Sequence, residues 1–83
     1  MHLIYCCNCE DMFNPHARSV CACGNTTTTI NDGIIVYRGL YAVPVELGDR
    51  SMTASLEFYK KYGVMTRFSG WFPAESSFFK KGE

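Results

Sequence analysis

Eighty-three residues, 47% of them hydrophobic and 19% charged, have the composition of one globular domain rather than a disordered chain. Lysine plus arginine and aspartate plus glutamate both number 8, so the formal net charge is zero and the overall balance draws the chain neither to nucleic acid nor to an anionic membrane. A chain this short buries only about 60% of its unfolded surface, so a metal or disulfide staple is expected.

The opening, MHLIYCCNCE, has no basic start and no apolar stretch of signal-peptide length. No run approaches the ~20 apolar residues that cross a bilayer. A reducing, cytoplasmic setting is expected, in which clustered cysteines are metal ligands rather than disulfides.

Residues 1–5 form an apolar strand leading into the first of two cysteine pairs. Cys6 and Cys9 stand as C-x2-C, and Cys21 and Cys23 stand as C-x-C followed by Gly24. A C-x2-C turn offers zinc two thiolates and aims its backbone amides at them. Gly24 removes the side-chain obstacle at the sharp turn after the last ligand. We therefore assign Cys6, Cys9, Cys21 and Cys23 to a structural Zn2+. Cys7 makes a second choice available, as a C-x-C pair with Cys9. C-x2-C is the better-attested pair, which leaves Cys7 as a packed or exposed thiol. His16 is the rival ligand, and His2 lies outside the two-pair pattern. Four thiolates on a divalent ion add about two negative charges, a further weight against nucleic acid.

Between the pairs, EDMFNPHARSV turns at Asn14-Pro15. Met12, Phe13 and Val20 are available to pack beneath the metal, and Arg18 is a surface arginine able to offset thiolate charge. Residues 25–30 and 33–37 are rich in β-branched side chains, and Asp32-Gly33 between them is a hairpin signal. A third run, 40–47, contains Pro44, which calls for an edge strand or a bulge. These runs predict an antiparallel meander over 31–47.

Gly48 to Ser51 breaks the strand pattern, with Asp49 or Ser51 as helix N-cap. Met52, Leu56 and Tyr59 recur at i, i+4 and i+7, Glu57 and Lys61 are spaced as an ion pair, and Gly63 closes the helix, predicted over 52–62. The tail, 64–83, carries Phe68, Trp71, Phe72, Phe78 and Phe79, more aromatic surface than so small a domain hides easily. They form a contact surface or cap the sheet and helix, and residues 80–83 are expected to fray. The fold class is thus small α+β in one domain: zinc ribbon over 1–30, meander over 31–47, helix over 48–63, aromatic tail over 64–83.

Catalysis is not expected. Four thiolates leave zinc no open position, no Ser-His-Asp constellation or glycine-rich phosphate loop is present, and Cys7 as nucleophile needs a base such as His16 beside it.

The segments YCCNCEDMF, CACGNTTTT and NDGIIVYRGLYAVPVELGDRSMTASL together resemble small, mostly uncharacterised zinc-ribbon proteins of bacteria and their phages. The resemblance covers about residues 3–56 and implies the same four cysteine ligands, with Cys7 in a variable place. Thr26 to Thr29 and the tail beyond Gly63 depart from the pattern. A phage or mobile-element origin is implied, and no biochemical activity.

The expected function is that of a non-enzymatic binding protein acting stoichiometrically on a host or defence-system protein, in host takeover or counter-defence. Tyr37, Tyr41, Trp71, Phe72 and Phe78 are the expected contacts, since aromatics dominate interface hot spots. Two alternatives stand beside it. One is nucleic-acid binding through Arg38, Arg50, Lys60, Lys61 and Arg67. The other is sequestration of a small nucleotide between subunits of a homo-oligomer.

Overall fold

Short β-branched and aromatic runs become strands that share one core. The computed structural model describes residues 1–73 and 78–82, so the part of the expected tail at 74–77, and Glu83, lies outside the described residues. The elements are β1 (His2–Cys6), β2 (Asp11–Phe13), β3 (Thr27–Asn31), β4 (Ile34–Arg38), β5 (Ala42–Leu47), α1 (Asp49–Tyr62), β6 (Gly70–Trp71) and β7 (Phe79–Lys81). They build a small α+β fold with two sheets. One has the order β2-β1-β5-β6 and is antiparallel throughout; the other has the order β3-β4-β7, with β7 parallel to β4.

The hairpin forms where Asp32-Gly33 predicts it. Both residues have positive φ, 51° and 79°, as a two-residue type I′ turn requires. The meander does not continue beyond it. β5 leaves β4 and pairs with β1, from His2 opposite Glu46 to Cys6 opposite Ala42. Gly39 makes the crossing: its φ is 121°, and a Cβ there would lie 2.2 Å from the Asn25 carbonyl oxygen. Gly39→Ala should therefore destabilise the fold by about 2 kcal/mol or more, combining backbone strain with a clash against main chain. A denaturant midpoint unchanged from wild type would contradict this.

Pro44 sits opposite Ile4 in β5. The Cys7 amide donates to the Tyr41 carbonyl and the Leu47 amide to the Met1 carbonyl, both at 2.9 Å, so odd-numbered residues of β5 face β1. Pro44 turns its missing donor to the other side, where β6 reaches only Glu46 and Leu47. That is the edge position expected of it.

The core lies between the sheets. Ile4, Cys6 and Phe13 come from the first, Ile35, Tyr37 and Phe79 from the second, and Cys21 from the cysteine-rich loop. Two expectations are corrected here. Tyr37 is only 6% exposed, so it is a core residue and not a contact for a partner. Of residues 80–83, those described are not frayed: Lys80 and Lys81 belong to β7, which registers Phe79 opposite Ile35, and the Gly82 amide donates to the Tyr37 carbonyl at 2.7 Å. Phe79, 1% exposed, is the largest fully buried side chain of the described residues. Phe13 packs in the core as expected, whereas Met12 and Val20 are exposed.

α1 begins at Asp49 with Gly48 as N-cap and no side-chain cap, so neither Asp49 nor Ser51 plays that part. The Ser51 hydroxyl accepts from the Ser69 amide instead, at 2.9 Å, and Asp49 faces the Met1 ammonium. Gly63 closes the helix in the left-handed conformation, φ 66°, its amide donating to the Tyr59 carbonyl at 2.7 Å. Glu57 and Lys61 form no ion pair; the Lys61 ammonium lies 5.4 Å from the Tyr62 ring centroid. No residue of α1 is buried.

After Gly63 the chain returns along one edge of the helix. The Thr66 hydroxyl donates to the Ser55 carbonyl at 3.1 Å, and the Ser55 hydroxyl donates to the Arg67 carbonyl. β6 then rejoins the first sheet. Helix and return segment form an arm that lengthens the molecule to 45 × 26 × 21 Å and its radius of gyration to 14.2 Å; a compact chain of this length has about 12 Å. No described helix is long and apolar enough to cross a membrane.

Candidate metal centre

β1 ends on Cys6, and a tight turn through Cys7 and Asn8 brings Cys9 back beside it before β2 begins. Glu10 closes that turn in the left-handed region at φ 56°. Gly24 does the same for the second pair at φ 81°, its amide donating to the Cys21 carbonyl at 3.2 Å. Both turns deliver their sulfurs to one point. The Sγ atoms of Cys6, Cys9, Cys21 and Cys23 all lie within 4.8 Å of one another, and no disulfide joins them. Cys6 and Cys23 are 3.8 Å apart and Cys21 and Cys23 3.4 Å apart. Tetrahedral thiolates at about 2.3 Å from an ion stand about 3.8 Å from each other, so the four fit a metal ion.

The surroundings favour thiolate at Cys6 and Cys21. The Thr26 hydroxyl, buried and without a partner in ordinary hydrogen-bond geometry, acts on Cys6 and holds its thiol below the usual range, against the opposing effect of burial; the Cys9 and Asn8 amides add to it. Burial pushes Cys21 up, but the Thr26 amide, 3.3 Å from its sulfur, and the neighbouring Cys23 and Cys6 outweigh burial and bring it to about 6. Burial pushes Cys9 up to about 11. Four sulfurs this close cannot all ionise in a partly buried site without a cation among them. The Asn8 side-chain amide, 3.4 Å from the Cys23 sulfur, supplies one more donor.

Asp11 ties the two pairs together, a role that sequence reading misses. Its carboxylate accepts two hydrogen bonds from Arg18, both at 2.9 Å, and one from the Ala22 amide, between Cys21 and Cys23, also at 2.9 Å. Arg18 thus serves Asp11, with its guanidinium 5.1 Å from the Phe13 ring centroid. Arg18 first, then the Ala22 amide, hold the Asp11 carboxyl below its usual range. A carboxyl so depressed supports the fold fully above its unfolded pKa, and that support is lost as pH falls through the lowered value. Asp11→Ala should weaken metal affinity about 10- to 100-fold while leaving the fold intact. Competition against a chromogenic chelator measures this, and unaltered affinity would remove Asp11 from the site. The one signal in the sequence is an acidic residue two positions after a ligand.

The alternatives for a ligand find other places. Cys7 is exposed and outside the cluster. The His16 amide donates to the Asn14 side chain at 2.9 Å in an exposed turn. His2 Nε2 lies 2.9 Å from Glu46 Oε1.

The expected contact residues divide. Trp71 Nε1 donates to Glu46 Oε2 at 3.1 Å, and Phe78 stacks on His2 with centroids 4.5 Å apart, so Trp71 and Phe78 meet around the His2–Glu46 pair. Phe72 follows Trp71 and is 72% exposed. Tyr41 is exposed at the opposite end of β5, about 17 Å away by strand rise. Of the five basic residues, Arg38 stands in β4, Arg50, Lys60 and Lys61 in α1, and Arg67 on the return segment. Arg38 lines a groove with Lys80 and Lys81. Against protein-family models, curated proteins and solved structures, the chain matches none.

Proposed function

We propose that the protein is a non-enzymatic, zinc-stapled binding protein that acts stoichiometrically on another protein. The observation that carries this reading is a four-sulfur cluster that leaves a tetrahedral ion no position for water or substrate. Zinc is the ion that four thiolates in this geometry suit best, in the all-cysteine arrangement of structural sites. Two of its ligands, Cys6 and Cys21, are also members of the hydrophobic core, so the ion holds the fold. The contact surface in this reading is Trp71, Phe72 and Phe78, with Tyr41 at the periphery. The resemblance to phage and bacterial zinc-ribbon proteins adds a host or defence-system protein as the partner and the host cytoplasm as the place.

Metal analysis of the purified protein, with zinc at one equivalent, tests the staple. Affinity purification from lysate of the host cell, with wild type and Trp71→Ala in parallel, tests the surface. The expected result is a specific protein held by wild type and lost from the variant. The same recovery with both, or none with either, counts against it.

A second reading is favoured by the Arg38, Lys80 and Lys81 groove, whose cations suit nucleic-acid phosphate. Its mark is DNA or RNA binding that weakens steeply with salt. Absence of a shift at low salt disposes of it.

A further inference from the structure

The arm carries a surface that nothing among the described residues covers. At 100° per residue Met52, Leu56 and Tyr59 fall on one stripe of α1. With Thr66 and Phe68 of the return segment, this stripe lines an open groove of about 290 Å³. Leu56, Tyr59 and Phe68 on it, and Tyr62 at its end, are each 47–56% exposed. A large aromatic has about 150–250 Å² to bury, so the half-exposed rings of Tyr59, Tyr62 and Phe68 leave roughly 200–400 Å². Leu56 and the neighbouring Met65, 87% exposed, extend the patch. That is about half or somewhat more of the ~800 Å² per partner of an ordinary stable interface, and it lies within the range of the largest patches on monomers. A helix of 14 residues is also marginal without a packed face.

The charges bordering the stripe name the occupant. Asp49 in the first turn and Lys60 in the last turn are 11 residues apart, hence within about 20° of each other around the helix, on the same border of the stripe. The return segment runs along the other border through Ser51 and Ser55, leaving this one uncovered except where the Met1 ammonium meets Asp49, whose side chain stays 73% exposed. When two such helices pack antiparallel, the same borders meet. A two-fold axis between Ser55 and Leu56 sets Met52 of one helix level with Tyr59 of the other. It also brings Asp49 within about 3 Å, in axial rise, of Lys60 of the copy, twice by symmetry. Parallel packing would instead set this border against the one that the return segment occupies, and Asp49 would not meet Lys60.

We propose that α1 is a self-association surface, and that two copies of this chain dimerise through antiparallel packing of the Met52–Leu56–Tyr59 stripes. This surface is separate from the Trp71 and Phe78 cluster, so it stands or falls independently of the partner-binding reading.

Sedimentation velocity over a hundredfold range of concentration tests it. Wild type is expected to pass from monomer to dimer. Leu56→Asp should weaken association at least about tenfold, or about 1.4 kcal/mol, with zinc content and far-ultraviolet circular dichroism retained. The decisive arm is a charge exchange. Asp49→Lys alone and Lys60→Asp alone should each weaken dimerisation, because one variant then has two positive borders and the other two negative ones. Their equimolar mixture should restore a dimer, since every border meets its opposite. The mixed dimer also separates pairing from loss of the Asp49 contact with the Met1 ammonium, which mixing cannot repair. A wild type that stays monomeric throughout, an assembly of another size, or a mixture no tighter than its components overturns the proposal.

Discussion

Chelation of the metal should abolish the cooperative thermal transition and the near-ultraviolet circular dichroism of the whole protein, not only of its N-terminal part. A structural zinc in such a site contributes about 10–16 kcal/mol of apparent binding free energy, as much as or more than the ~5–15 kcal/mol that holds a typical domain folded. The reach of the effect follows from where the ligands stand. Cys6 is 0% and Cys21 4% exposed, and both pack with Ile4, Phe13, Ile35, Tyr37 and Phe79. Without an ion the site holds thiols of mismatched acidity, Cys21 at about 6 inside that core and Cys9 at about 11 packed against it. Cys21→Ser should behave like chelation. Cys7→Ser should leave both zinc stoichiometry and melting temperature unchanged, because Cys7 is outside the cluster. A chelated protein that melts as before would show that the sheets need no staple.

The second large effect is expected at the far end of the sequence. Phe79→Ala should cost about 3–5 kcal/mol, the range for removing a fully buried ring. On a domain with a small core that brings the native state close to unfolding. Phe72→Ala, at a position 72% exposed, should change stability by no more than about 0.5 kcal/mol. Urea denaturation of the two variants makes the comparison; equal midpoints would mean that β7 does not close the core.

These positions also mark what sequence can and cannot convey. The cysteine cluster is legible because each half of it is local: a turn of four residues or fewer sets two sulfurs, and the halves need only meet to be able to hold a metal ion. Asp32-Gly33 and Gly63 are legible for the same reason, each being a backbone conformation that its own residue type permits. Pairing of β5 with β1 and of β7 with β4 joins residues about 40 positions apart, and no local preference encodes it. Tyr37 reads as a surface residue because Ile34, Ile35, Val36 and Tyr37 are all apolar. Period-two alternation, which puts Ile35 and Tyr37 inward, is invisible when both faces carry similar side chains. The periodicity of α1 shows its apolar stripe plainly. Periodicity says that a face wants a cover and is silent on whether the cover comes from the same chain.

The parallel pairing of β7 with β4 has a consequence for synthesis. The ribosome releases the chain from the N-terminus, so the cysteine turns and the β3–β4 hairpin are free to form while Phe79 is still unmade. Until residues through Gly82 emerge, the edge of β4 has no neighbour on that side and the apolar side of Ile35 has no ring over it. An unpaired edge of this kind recruits strands from other molecules. Newly made protein therefore has a vulnerable interval that metal supply does not shorten, and fusions that crowd the residues following β7 should prolong it.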